Sequence, residues 1–306
     1  MTGHSHDHGA GTAAGKHRRR LVAVLGINAG VLVLQVIGGL ASGSLALLAD
    51  AGHMLTDSTG LVIALVAVSL AARPATASRT FGLQRVEILA ALTNGLLLVG
   101  VAVWVLIRAV DRWSEPEHVD SVLMLAVALV GAVANAAGLL ILRGGKDESL
   151  NLRGAYLEVL GDLMGSAAVV VGAVVIMLTG WTRADSIASL AIVVLILPRA
   201  WSLLRDVVDV LLEATPKGVD LEAVREHIRE VSGVVDVHDL HAWTITSGVP
   251  VLSAHVVVDE ACITDGRSGE VLDRLGECLG DHFDVEHCTF QLEPVGHAEH
   301  EGARHA

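Results

Sequence analysis

The sequence predicts an all-α membrane domain of six spanning helices followed by a small α+β domain in the aqueous phase. Three observations carry this. Hydrophobic residues make up 52% of the 306-residue chain and its mean hydropathy is +0.58, more than an ordinary soluble domain carries. The apolar residues gather into six runs, 21–41, 45–72, 88–110, 119–142, 157–178 and 187–204, each near the roughly 20 residues that cross a bilayer as a helix. From Thr215-Pro216 onward these runs give way to mixed, charged, periodic segments, with Pro216-Lys217-Gly218 as a hinge.

The first run follows His17-Arg18-Arg19-Arg20 but is too long for a secretory signal and has no small-residue cleavage site after it, so it reads as a permanent anchor. Topology follows Lys and Arg in short loops and not the net charge, which is −13. Lys16 to Arg20 precede the first run, Arg73, Arg79 and Arg85 lie between the second and third, and Arg143, Lys146 and Arg153 between the fourth and fifth. The turn Ser42-Gly43-Ser44 has no basic residue, and Arg108 and Arg112 are offset by Asp111, Glu115, Glu117 and Asp120. Alternate loops therefore face the cytoplasm, both termini lie there, and a multi-pass protein of a bacterial inner membrane is expected. The three cysteines, Cys262, Cys278 and Cys288, would then sit in a reducing compartment as free thiols.

After the spans, residues 220–232 have helical spacing with Leu221, Val224, Ile228 and Val231 on one face and Gly233 as terminator. Residues 234–245 and 251–258 alternate as strands around the Ser247-Gly248-Val249-Pro250 turn, 269–279 reads as a second helix and 288–292 as a third strand. The order is α-β-β-α-β, in a domain small enough that a second copy would stabilise it. The expected division is a His-rich disordered tail at 1–17, the membrane domain at 18–213, the α+β domain at 214–295 and a second His-containing disordered tail at 296–306. The irregular His4-Ser5-His6-Asp7-His8 run and His297, His300 and His305 read as accessory metal collectors.

Polar residues inside the apolar runs carry the chemistry, because such groups are costly in hydrocarbon unless partnered or facing water. His53 and Asp57 in the second run, and Glu158 and Asp162 in the fifth, are i, i+4 pairs whose members lie about 6 Å apart on one helix face. Two such pairs supply the four ligands of a tetrahedral zinc site, with Asp50 one turn away as an accessory. Protonation of the same atoms competes with metal, which makes His53, Glu158 and Asp162 the candidate proton carriers. Asn28, Gln35, Asn94 and Asn135 are expected to hydrogen-bond between helices, Arg85 and Glu87 to lie at a helix end, and Asp185 to cap its helix, with attraction of cations to the exit as its alternative role.

Gly43-Ser44-Leu45-Ala46-Leu47-Leu48-Ala49-Asp50-Ala51-Gly52-His53-Met54, Arg79-Thr80-Phe81-Gly82 with Arg85 and Glu87, Gly161-Asp162, and Val237-His238-Asp239-Leu240-His241-Ala242-Trp243 resemble the cation diffusion facilitator family, in particular its bacterial zinc, cadmium and cobalt exporters. The resemblance implies that His53, Asp57, the position of Glu158, and Asp162 bind the transported metal, and that metal leaves the cytoplasm in exchange for protons. It also implies a homodimer whose cytoplasmic domain is ferredoxin-like and binds metal at His238, His255 and Glu293, with His287 and Cys288 as extra ligands.

One position departs from the pattern: the zinc exporters compared usually have His where this chain has Glu158. One imidazole and three carboxylates make a harder site, so a preference for Mn²⁺, Fe²⁺ or Co²⁺ is the alternative to Zn²⁺, which would be cargo and also a regulatory ligand of the tail. An intramembrane metalloenzyme is the alternative of another class, although no His-Glu-x-x-His run or separate general base is present. A metal-sensing receptor would need an output domain, and none is evident in the sequence. No enzymatic activity, organic cofactor or nucleic-acid partner is expected; the partners are a second copy, divalent ions, protons and the bilayer.

Overall fold

The computed structural model describes residues 13–144, 150–283 and 287–297. The His4 to His8 run, His300 and His305 lie outside those residues, as does Lys146.

Six long helices occupy the six apolar runs: α1 (Ala13–Ser42), α2 (Leu45–Ala71), α3 (Val86–Ser114), α4 (Ser121–Arg143), α5 (Leu150–Thr179) and α6 (Arg183–Leu211). Each is long and apolar enough to cross a membrane. The first helix begins at Ala13, within the stretch assigned to the N-terminal tail. Most spans extend a few residues past the apolar run, because polar ends such as Arg183 and Ser114 continue a helix that hydropathy alone cuts short. Leu65, Leu140, Leu178 and Val194 are each more than 60% exposed on the helix surfaces, where hydrocarbon would cover them.

Inside, Leu47, Leu98, Met124, Val169 and Ile192 belong to one buried apolar cluster. Small residues set the closest approaches. A Cβ on Gly38 of α1 would lie 2.6 Å from Val127 of α4, and one on Gly172 of α5 would lie 3.0 Å from the Ala188 side chain of α6.

The turn between α1 and α2 explains a second kind of order. Gly43 has φ +71°, a left-handed conformation that costs glycine nothing, and it delivers Ser44 to the start of α2. There the Asp185 carboxylate accepts from Ser44 Oγ at 2.6 Å, Leu45 N at 2.7 Å and Ala46 N at 3.2 Å. Asp185 does cap a helix, but that helix is α2 and not its own α6. Arg112 closes the network, donating to Asp185 Oδ2 at 3.2 Å and to the Gly43 carbonyl at 2.7 Å while pairing with Glu117.

The C-terminal domain consists of α7 (Leu221–Glu230), β1 (Val234–Thr244), β2 (Pro250–Val258), α8 (Glu260–Thr264), α9 (Ser268–Phe283) and β3 (His287–Pro294). Asp220 caps α7 by accepting from Glu222 N at 3.0 Å, and Val224 and Ile228 bury the apolar face. The strand order is β1-β2-β3, with β1 antiparallel and β3 parallel to β2. This is the α-β-β-α-β layout read from sequence, with the one-turn helix α8 added before α9. Val237, Leu252, Val256 and Leu275 pack with α7 in its core.

Two compact units result, one of Met1–Ile63 with Thr93–Ser202 and one of Ala64–Leu92 with Leu203–Ala306. The division runs through α2, α3 and α6, so the ends of these helices and the α2–α3 loop belong with the C-terminal domain. Within that unit Thr246 Oγ1 donates to Glu87 at 2.6 Å, Arg85 pairs with Glu213 at 3.1 Å, and the Phe81 ring lies 6.0 Å from that of His287.

Candidate metal-binding sites

Helical spacing puts His53 and Asp57 on one face of α2, and the fold turns Asp162 of α5 toward them. His53 Nε2 lies 3.6 Å from Asp57 Oδ2 and 3.9 Å from Asp162 Oδ1. His53 and Asp162 are buried, and His53 Nδ1 and Asp162 Oδ1 have no hydrogen-bond partner among the described residues. Buried polar atoms without partners are rare and call for an explanation. Two ligands each about 2.0 Å from a tetrahedral zinc ion are about 3.3 Å apart, so these separations would need to close by only a few tenths of an ångström.

Glu158 is half-buried one turn before Asp162; it makes no hydrogen bond or ion pair among the described residues, although its charge interacts with His53, Asp57 and Asp162. No three ligand atoms of this membrane set lie mutually within 4.8 Å.

Asp50 is engaged elsewhere. Its Oδ2 accepts from Gln35 Nε2 of α1 at 2.6 Å and from Ser166 Oγ of α5 at 3.4 Å, and Asn135 of α4 donates to that serine at 3.4 Å. Gln35 and Asn135 therefore bond between helices as the sequence suggested, whereas Asn94 packs over Gly60 with its Oδ1 unpaired among the described residues. Asp50, His53, Gly161, Gly165, Ile192 and Arg199 are among the residues that line a cavity of about 280 Å³.

Sequence reading missed Arg199 of α6, whose Nη1 is 3.2 Å from Asp57 Oδ2. The signal was available, since a guanidinium inside an apolar run is as costly as the carboxylates that did attract notice.

In the C-terminal domain, strand register brings the second set together. His238 of β1 stands opposite His255 of β2, and their rings meet edge to face at 5.1 Å. Glu293 of β3 completes the group, with Oε2 at 3.1 Å from His238 Nε2 and Oε1 at 2.7 Å from His255 Nδ1. These three alone among the described residues place His, Cys, Asp or Glu ligand atoms mutually within 4.8 Å. Burial by itself would raise the Glu293 carboxyl, but hydrogen bonds from His238 and Gln291 and the charges of His255 and His238 outweigh it and hold the group below its usual range. The register of β1 against β2 shifts between His238 and His241, and Asp239 in that interval has φ +49°. The irregularity places its carboxylate 2.8 Å from His241 and 3.7 Å from His255.

His287 and Cys288 do not join this cluster. They begin β3, about 20 and 16 Å along the strand from Glu293. Cys288 packs against the core, and burial pushes its thiol up.

Residues 21–212 match a family model described as the cation efflux transmembrane domain, and 216–295 one described as the cation efflux protein cytoplasmic domain. The chain is 44% identical over 303 residues to the metal cation efflux system protein CzcD of Cupriavidus metallidurans, covering 99% of this chain and 93% of that protein. It is 41% identical to the zinc transporter ZitB of Escherichia coli, covering 95% and 92%. The cadmium, cobalt and zinc/H(+)-K(+) antiporter of Bacillus subtilis is 37% identical, with 96% and 93% covered. A solved structure of the metal-bound C-terminal domain of the C. metallidurans CzcD transporter is 44% identical over 24% of this chain and 99% of that one, with a TM-score of 0.23.

Proposed function

The chain belongs to the cation efflux family, and from that membership together with the His53 cluster we infer that it is a proton-coupled antiporter exporting Zn²⁺ from the cytoplasm, with Cd²⁺ and Co²⁺ as further cargo. Relatives named as efflux proteins, transporters and antiporters set aside the metalloenzyme reading.

The observation that carries the site assignment is the position of one buried imidazole. His53 Nε2 faces carboxylates from two helices at 3.6 and 3.9 Å while Asp162 Oδ1 lacks a hydrogen-bond partner among the described residues. His53, Asp57 and Asp162 are the ligands in this reading, with Glu158 turning in as the fourth. Asp50 acts on the site through the shared cavity and through its charge, which interacts with Asp162, while Gln35 and Ser166 hold one of its oxygens.

Metal and protons exclude each other at these atoms, so the site carries metal outward, exchanges it there for protons on His53, Glu158 or Asp162, and returns with the protons, which it gives up inside before metal binds again. The basic loops support cytoplasmic termini and an inner-membrane location. The small three-stranded sheet supports assembly as a homodimer. His238, His255 and Glu293 are the regulatory metal site of the tail in the same reading, supported by their mutual distances.

Uptake of Zn²⁺ into proteoliposomes under an imposed proton gradient tests the proposal. The wild type is expected to accumulate metal against its gradient, and Asp162→Asn to fall to the protein-free background. Retention of proton-driven uptake by Asp162→Asn would remove this cluster from the transport path.

A further inference from the structure

We propose that Arg199 is the built-in counter-cation of the transport site, occupying Asp57 while no metal is there and cancelling the additional negative charge that Glu158 brings. The proposal rests on the reading of His53, Asp57, Glu158 and Asp162 as that site.

Arg199 lies about 24 Å along α6 from its first residue, well inside the spanning segment. An arginine at that depth needs a partner or water. It has an ion pair with Asp57 at 3.2 Å and a place on the wall of the cavity that Asp50 and His53 also line. Its charge interacts with all four candidate ligands, His53, Asp57, Glu158 and Asp162. The side chain is 51% exposed, so it can leave Asp57 without unpacking a core. The preceding residue, Pro198, removes one hydrogen bond from α6 beside it and loosens the helix at this level.

Charge counting gives the inference its content. Three carboxylates and one guanidinium leave two net negative charges, the same as two carboxylates with two neutral imidazoles, and one divalent ion neutralises either set. Glu158 without Arg199 would leave the filled site negative and hold its cargo too firmly to release it. When metal arrives, Asp57 exchanges the guanidinium for the ion, and when metal leaves, the guanidinium returns.

The test compares KM and kcat for Zn²⁺ uptake by the full chain in proteoliposomes at one fixed proton gradient. Arg199→Met is expected to lower KM about tenfold, because a positive charge about 6 Å from a divalent ion costs that factor even at the dielectric constant of water, and to lower kcat as release slows. Arg199→Lys keeps the charge and should keep KM within about twofold. Glu158→His alone leaves one net negative charge and should weaken uptake, and adding Arg199→Met should recover it.

An unchanged or raised KM in Arg199→Met, or a double variant no better than Glu158→His, overturns the proposal. Should Arg199→Met fail to accumulate in membranes, Arg199→Gln carries the same prediction. Inactive Asp162→Asn beside an unshifted Arg199→Met would leave the site standing and remove the counter-cation; active Asp162→Asn would remove the site itself.

Discussion

Replacing Asp185 by Ala removes one carboxylate that serves three groups at the start of α2 and one guanidinium. The lost cap, with acceptors for Leu45 N, Ala46 N and Ser44 Oγ, is worth about 1 kcal/mol. The loss of the buried partner of Arg112 costs about 3 kcal/mol, at the low end for a broken buried pair because Glu117 and the Gly43 carbonyl still hold that side chain. Together about 4 kcal/mol should be lost, which lowers the unfolding midpoint of the detergent-solubilised protein by on the order of 10 °C. Asp185→Asn keeps an acceptor for the α2 amides but not the charge facing Arg112, and should lose about 3 kcal/mol. Thermal unfolding followed by size-exclusion recovery measures both. A drop of less than about 2 °C in Asp185→Ala would refute the structural account. The rival role, attraction of cations to an exit, predicts instead a salt-sensitive rise in the KM for zinc with stability intact. The Asp185 side chain is only 2% exposed, which argues against it.

The remaining predictions concern packing and pH. A Cβ on Gly165 would stand 2.6 Å from Asp50 Oδ1, so Gly165→Ala must displace that carboxylate from Gln35; a loss of about 1–3 kcal/mol in detergent stability is expected, together with impaired zinc uptake. Unchanged stability and uptake would show that Asp50 can move at no cost. In the C-terminal domain Glu293 has its folded pKa held below the ordinary value of 4.5. Its contribution to stability is therefore complete above that value and is lost as pH falls through the folded pKa. Protection factors of β3 amides in the full chain, with the intrinsic acid slowing of exchange divided out, should fall below about pH 4.5, and Glu293→Gln should flatten that dependence.

Six spans were legible because each is a long apolar run, a signal that depends on solvent alone. The caps at Asp120 and Asp220 precede their own helices and follow a local rule. Asp185 obeyed the same chemistry with a partner 140 residues away, at Leu45, and no spacing rule reaches that far. His53 and Asp57 could be read as a pair from helical geometry, and Glu158 and Asp162 likewise, yet the side chains do not respond alike: Asp162 approaches His53 and Glu158 stays out of hydrogen-bonding contact. Tertiary packing of α5 against α2 decides this, and a single helix carries no record of it. Arg199 was overlooked because hydropathy averages it away among its neighbours. In the C-terminal domain the alternation of β1 and β2 predicted the hairpin, but the register that sets His238 against His255 depends on the shift before His241.

The cap on α2 has a mechanical consequence. Leu45 to Asp57 spans about 18 Å of α2 and Asp185 to Arg199 about 21 Å of α6, so two helices starting side by side are joined by a pair of rungs at nearly matched heights. One rung is buried and shared among backbone amides; the other is a single half-exposed ion pair. A motion that parted the helices would release the half-exposed ion pair at less cost than the buried network, which would then serve as its fulcrum. A rotation of about 10° about that fulcrum opens a gap of about 3 Å beside Asp57, wider than the diameter of a bare zinc ion, while the far end of the bundle stays shut.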